Sequence, residues 1–199
     1  MASIDHLVVT AASADEGADH ISNAIGIRPE IVGRHAAMGT WNRLMGLGGP
    51  YLEAITIDPD GTAPNRPRWY ALDDRTGPAA LTNWALRVPD LEAAVAHVPD
   101  AGTILDFARD DLHWRMAVPD DGHLPFHGCF PALIQWLTPP PVFPDSGCHL
   151  EHLVIAHPEP GTLAHALHAL TDDPAIEIVA GTPGLRARIA TPTGLHDLT

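Results

Sequence analysis

Two short phrases in this chain carry an imidazole into a strand-like run, and each is followed downstream by a carboxylate. Ile4-Asp5-His6-Leu7-Val8-Val9 leads to Glu53 in Tyr51-Leu52-Glu53-Ala54-Ile55, and Leu150-Glu151-His152-Leu153-Val154-Ile155 leads to Asp197 in Leu195-His196-Asp197-Leu198. The spacings His6–Glu53 and His152–Asp197 are nearly equal. Imidazole nitrogen with carboxylate oxygen suits a divalent ion such as Zn, Ni, Mn or Fe. Two copies of such a unit could therefore assemble one metal site. Glu53 could instead serve as a general base. The plainer alternative is that His6 and Glu53 bond to each other or face solvent.

Other polar groups gather in loops. His35-Ala36-Ala37-Met38-Gly39-Thr40-Trp41-Asn42 enters a strand, and His35, Thr40 and Asn42 are candidates to line a binding cleft. The loop His123–Pro131 mixes histidines with Cys129 and two phenylalanines, as a lid over a cleft would. No third group is in place to make Cys129 a nucleophile. His165 and His168 are spaced for one helical face, where a solvated stripe is the ordinary outcome. No glycine-rich phosphate-binding motif occurs.

The elements that must position these groups follow from periodicity and turn signals. Residues 3–57 read as strand Ile4–Thr10, a helix over Ser13–Ile25 opened by the Ser13/Glu16 capping pair, and strands near 30–32, 41–47 and 51–57. Residues 58–80 form a connector rich in Asp, Pro, Gly and Arg. Residues 81–138 repeat the order: strand 82–88, helix 90–98, and strands 101–107, 113–118 and 132–137. A Pro-rich linker, 139–147, precedes a shorter third unit over 149–198. Each unit is βαβββ, and one such unit cannot bury its own sheet face. Alternation sets His6 beside Ile4 and Val8, and Glu53 beside Tyr51, Ile55 and Ile57.

Bulk composition narrows the partners. The chain has 199 residues and a formal charge of −14, which disfavours nucleic acid and anionic membrane surfaces. Every basic residue is Arg. Apolar content of 45% with mean hydropathy near zero marks a soluble globular protein. No apolar run approaches the roughly 20 residues of a membrane span, and no signal-peptide pattern opens the chain. A cytoplasmic protein with a small-molecule ligand is the expectation.

The phrases Ile4–Val9, Gly33–Asn42, Tyr51–Ile55, Asn83-Trp84-Ala85-Leu86-Arg87 and Pro131-Ala132-Leu133-Ile134-Gln135-Trp136 resemble the vicinal oxygen chelate superfamily. More narrowly, they resemble its glyoxalase-like domain subgroup, and the likeness runs over nearly the whole chain. It implies an α+β fold in which βαβββ modules form curved mixed sheets around a cleft, with helices outside. It also implies metal ligands on the first and last strands of each module, and often a homodimer.

Carried over residue by residue, module one supplies His6 and Glu53, and module three supplies His152 and Asp197. Module two places Trp84 and Gln135 in those positions, as residues lining the cleft. A full ligand set needs modules one and three to share a cleft, whereas pairing of one with two leaves half a set. The resemblance therefore implies a metal-dependent lyase, isomerase or dioxygenase acting on a small oxygenated substrate, with Glu53 catalytic. The alternative is a metal-free protein that sequesters a small molecule.

Overall fold

In a computed structural model, which describes residues 2–199, an eight-stranded and a four-stranded sheet carry the chain. Module one is β1 (Ser3–Thr10), α1 (Ala14–Ile25), β2 (Ile31–His35), β3 (Thr40–Gly46) and β4 (Tyr51–Ile57). Module two is β5 (Ala80–Arg87), α2 (Leu91–His97), β6 (Thr103–Arg109), β7 (Leu112–Val118) and β8 (Ala132–Trp136). They join edge to edge through β1 and β5, giving the order β2-β3-β4-β1-β5-β8-β7-β6. The sheet curls until its far strands approach: Arg109 on β6 reaches His35 on β2 at 3.4 Å.

Local chemistry accounts for the framing helix. Ser13 caps α1 by accepting the Glu16 amide, and Glu16 accepts the amides of Ala12 and Ala79. The helix is thereby tied to both the strand before it and the connector's end. Gly17 lies so close to Ala54 on β4 that a Cβ there would collide, so its missing side chain lets the helix sit directly on the sheet. Left-handed Gly26 ends the helix.

The sheet's two faces bury different clusters. The convex face packs Leu7, Val9, Leu52, Trp84, Leu86 and Leu133 against the helices. The concave face gathers Val8, Ile55, Ala85, Phe107, Trp114 and Ile134, over which the connector residues Trp69, Tyr70 and Leu72 are laid.

The third unit keeps the βαβββ order of elements but not its pairing. It comprises β9 (His149–His157), α3 (Pro160–His168), β10 (Ile176–Ala180), β11 (Gly184–Thr191) and β12 (Gly194–Leu198). In modules one and two the last strand lies parallel beside the first. Here β10 takes that place, β11 lies antiparallel on the other side of β9, and β12 is an edge. Leu153, Ile155, Leu185, Ala187 and Leu198 join the core shared with Trp84. Module three therefore covers the convex side, away from the concavity. Among the described residues no helix is long and apolar enough to cross a membrane.

Candidate functional site

The β1–β5 seam decides what faces the concavity. Its pairing is symmetric about Leu7↔Trp84, with His6 opposite Ala85 and Val8 opposite Asn83. Two register shifts interrupt it, leaving Asp5 unpaired on β1 and Thr82 unpaired on β5. Each is a one-residue bulge, which turns two consecutive side chains to one face. Asp5 and His6 accordingly meet side by side, while Ile4 falls into the convex core with Leu7 and Val9. The simple alternation that grouped His6 with Ile4 fails at this bulge.

The symmetry also identifies equivalent residues. His6 corresponds to Asn83, and Leu7 to Trp84. Glu53 lies opposite Val8 as Ala132 lies opposite Ala85, so Glu53 corresponds to Ala132. The expected placement of Trp84 and Gln135 in the cleft is therefore corrected. Trp84 is fully buried on the convex side, its indole N–H donating to the Cys129 carbonyl at 2.9 Å. Gln135 bonds Arg115 and the Pro89 carbonyl on the α2 side. Modules one and two pair even so, because a shift by an odd number of residues exchanges the two faces of a strand.

Module one's half of the site is a buried polar cluster. His6 and Glu53 are 3% and 4% exposed, and His6 Nε2 lies 3.5 Å from Glu53 Oε2. His6 Nδ1 is 2.8 Å from Asp5 Oδ1, and the His6 ring stacks on Tyr51 with centroids 4.6 Å apart. Asp5 also accepts from Arg87 Nε and from the Trp136 indole, each at 2.9 Å. Burial pushes the Asp5 pKa up, but its bond to His6, the Trp136 donor and the Arg87 charge together hold it below the ordinary value. With the imidazole proton on Nδ1 toward Asp5, Nε2 accepts the Tyr70 hydroxyl at 3.1 Å. Burial, reinforced by the Glu53 and Asp5 charges, raises the Tyr70 pKa well above its ordinary value and keeps that hydroxyl protonated.

The loop candidates surround this cluster. Asn42 donates its amide to Glu53 Oε1, and its own Oδ1 is buried without a partner. Gly33, opposite Asn42 on β2, leaves room that a Cβ would take from the Asn42 amide and the Arg109 guanidinium. His35 Nδ1 lies 3.2 Å from the Thr40 hydroxyl, and its ring meets Trp69 and Trp114 edge-on. His35 keeps some solvent contact, yet burial of its ring, with the Arg109 charge, lowers its pKa from 6.5 to about 3. Thus His6, Glu53, His35, Thr40 and Asn42 converge at one end of the concavity.

His152 and Asp197 do not join them. Both lie on the four-stranded sheet and are exposed, with Arg188 of β11 standing between them. Asp197 is engaged by Arg188 at 3.0 Å and by Arg186 at 3.5 Å, and the Arg188 bond holds its carboxyl below the ordinary range.

Whether these donors fit a divalent ion is decided by module two. His6 and Glu53 are suitable ligands, and an Asp5-type carboxylate commonly orients a metal-bound imidazole. Asn83 and Ala132, however, occupy the matching positions. Among the described residues no group of three or more His, Cys, Asp or Glu side chains is placed to hold an ion. Tyr70 and Asn42 already engage His6 and Glu53. The donor set does not fit a three-residue chelate.

Tyr70 and Asp5 escaped the sequence reading. Tyr70 sits in the connector with a left-handed backbone, φ 58°, inside a short 3₁₀ segment, Trp69–Asp74. Beyond its ring lies a pocket of about 510 Å³, lined by Thr10, Thr82, Asn83, Arg75, Leu124 and His127 among others. Tyr70 therefore separates a sealed His6/Glu53 cluster from an outer pocket that contains the module-two equivalent, Asn83.

Comparison with known proteins agrees with this architecture. The family model described as "Glyoxalase-like domain" matches residues 4–171. A hypothetical protein from Staphylococcus aureus is similar in structure, with 14% identity, TM-score 0.60, and coverage of 96% of this chain and 82% of its own. Methylmalonyl-CoA epimerase from Mycobacterium tuberculosis shows 15% identity over 67% of this chain and 85% of its own, with TM-score 0.43. No curated protein matches the chain. With modules one and two paired around one concavity and a family match over most of its length, the chain belongs to the glyoxalase-like domain family of the vicinal oxygen chelate superfamily.

Proposed function

We propose that this protein binds a small molecule in the pocket beneath the connector, and does so without a bound divalent metal. The observation that carries this reading is the pair Asn83 and Ala132, standing where module one has His6 and Glu53. One imidazole and one carboxylate remain, and both are sealed beneath Tyr70. A ligand entering the pocket meets Tyr70, Thr10, Thr82 and Asn83 rather than the His6/Glu53 pair. A volume of this size suits a ligand of moderate size.

A second reading is favoured by the Asp5–His6–Glu53 chain. Asp5 holds the His6 ring from behind, so that Glu53 and His6 face each other as a paired proton acceptor and carrier. Acid–base chemistry there requires Tyr70 to leave His6 and admit the substrate. Thermal-shift screening of a diverse compound set separates the two. Hits that stabilise the wild type, vanish in Ala80→Trp (which fills the pocket) and are recovered unchanged after incubation support binding. Conversion of a hit that stops in Glu53→Gln would establish the enzyme, and hits indifferent to Ala80→Trp would move the ligand elsewhere.

A further inference from the structure

The outer pocket has a chemical polarity of its own. Every arginine except Arg75 and Arg109 lies within 4 Å of a carboxylate among the described residues. Arg109 instead faces the His35 ring. Arg75 lines the pocket, and its Nε and Nη2 are shut off from solvent without any hydrogen-bond acceptor. In a chain with a formal charge of −14, acidic partners are plentiful, so an arginine without one is conspicuous. Only Nη1 of this guanidinium is not shut off, and it has no protein acceptor among the described residues, so it is the nitrogen left for an acceptor supplied by a ligand.

A second donor, on His127, lines the same pocket and is oriented by His157 behind it. His157, 3% exposed, accepts the Glu159 amide at Nδ1, which places its proton on Nε2. That nitrogen lies 3.4 Å from His127 Nδ1, which becomes the acceptor. His127 then carries its own proton on Nε2, the ring nitrogen without a protein partner. Four of the five non-glycine residues with positive φ among those described, Tyr70, Ala71, Phe126 and His127, lie in the two segments that frame this pocket. Left-handed backbone at such residues is costly and concentrates where geometry serves a ligand. Asp74 also lines the pocket, but its carboxylate is met by His123 Nε2 at 3.4 Å.

We propose that the pocket takes a small organic carboxylate, its anionic head on Arg75 and His127 and its carbon body against Ala71, Pro78, Ala80 and Leu124. This assignment rests on the binding reading above and names its ligand class. A carboxylate oxygen can accept a charge-assisted hydrogen bond from Arg75 Nη1, and the apolar wall asks for more than a bare anion.

Isothermal titration with acid–amide pairs tests it: benzoate against benzamide, hexanoate against hexanamide, and inorganic phosphate as a bare anion. The acids should bind the wild type and the amides should not. Arg75→Gln should weaken the acids about tenfold or more, since a hydrogen bond to a charged group is lost. Arg75→Lys should fall between, and His127→Asn, which tolerates the left-handed backbone, should weaken them several-fold. Circular dichroism of each variant checks that the fold is retained. Amides binding as tightly as acids, or acids binding Arg75→Gln as tightly as wild type, would overturn the anionic assignment and leave the binding reading standing. Phosphate matching the acids would overturn the organic one. Silence from every acid at millimolar concentration would overturn the inference outright.

Discussion

Modules one and two are built on the same pairing scheme and differ in what that scheme presents. Both carry a one-residue bulge on the first strand, at Asp5 and at Thr82, and both set a last-strand residue, Glu53 or Ala132, opposite the position three residues beyond it. In module one the bulge delivers Asp5 and His6 to a buried cluster with Glu53. In module two it delivers Thr82 and Asn83 to the wall of an open pocket, with Ala132 where a carboxylate would sit. The same backbone device thus holds a charged network in one half and a neutral polar wall in the other. A shared scaffold fixes where side chains emerge, whereas the chemistry depends on which residues emerge there.

The largest effect should come from the residues on the seam's axis. Trp84→Ala removes a fully buried indole and should cost about 3–5 kcal/mol in chemical denaturation. Its equivalent, Leu7→Ala, should cost about 2–5 kcal/mol. If Trp84 instead floored the ligand site, the variant would keep its stability and lose ligand binding.

The two bulges should differ next. Asp5→Ala strips an acceptor from His6, Arg87 and Trp136 together, and should cost about 2–4 kcal/mol. Thr82→Ala, at the equivalent but exposed position, should stay within about 0.5 kcal/mol. Equal losses would mean that the bulges carry equal loads. Module two can be made to resemble module one by two substitutions. Asn83→His with Ala132→Glu adds an imidazole and a carboxylate to the concavity. Saturating zinc or nickel should then stabilise the double variant by about 2–3 kcal/mol while leaving the wild type unmoved.

A smaller, pH-dependent effect belongs to module one alone. His35 is held neutral in the fold, its pKa lowered from 6.5 to about 3 by burial and by the Arg109 charge. Between those values the unfolded chain binds a proton that the native chain refuses. Stability contributed by neutral His35 is thus complete above 6.5 and is lost as pH falls toward 3. Its partial exposure limits the effect to roughly 1–2 kcal/mol across that window. A His35→Gln variant should show a correspondingly flatter urea midpoint against pH. Smallest of all, Asp197→Ala on the outer sheet should cost no more than about 1 kcal/mol, because its arginine partners are solvent-exposed.

Much of this was legible in the residues. Element order, the Ser13/Glu16 cap, the 58–80 connector and the approach of His6, Glu53 and Asn42 follow from period, turn chemistry and the resemblance. The bulges do not, because nothing in Ile4–Val9 or Ala80–Arg87 marks one extra residue, and that residue exchanges the faces of everything before it. The placement of Trp84 in the cleft failed for a related reason: Trp84 is equivalent to Leu7 and Asn83 to His6, and an offset of one residue exchanges the two faces. Module three repeats the order of elements, but strand order depends on long-range pairing, so Asp197 came to lie on an edge, two strands from His152. Tyr70 was hidden because the connector has no periodicity to read. Its role comes from the left-handed turn that lays it over His6.

On the binding reading proposed above, the module-one pair alone does not hold a divalent ion. Elemental analysis of untagged protein purified without chelator, combined with thermal midpoints in added Mn, Ni, Fe and Zn, decides the point. Metal should be substoichiometric, and added metal should shift neither the wild type nor His6→Ala. Stoichiometric metal that stabilises the wild type and disappears in His6→Ala would contradict that reading.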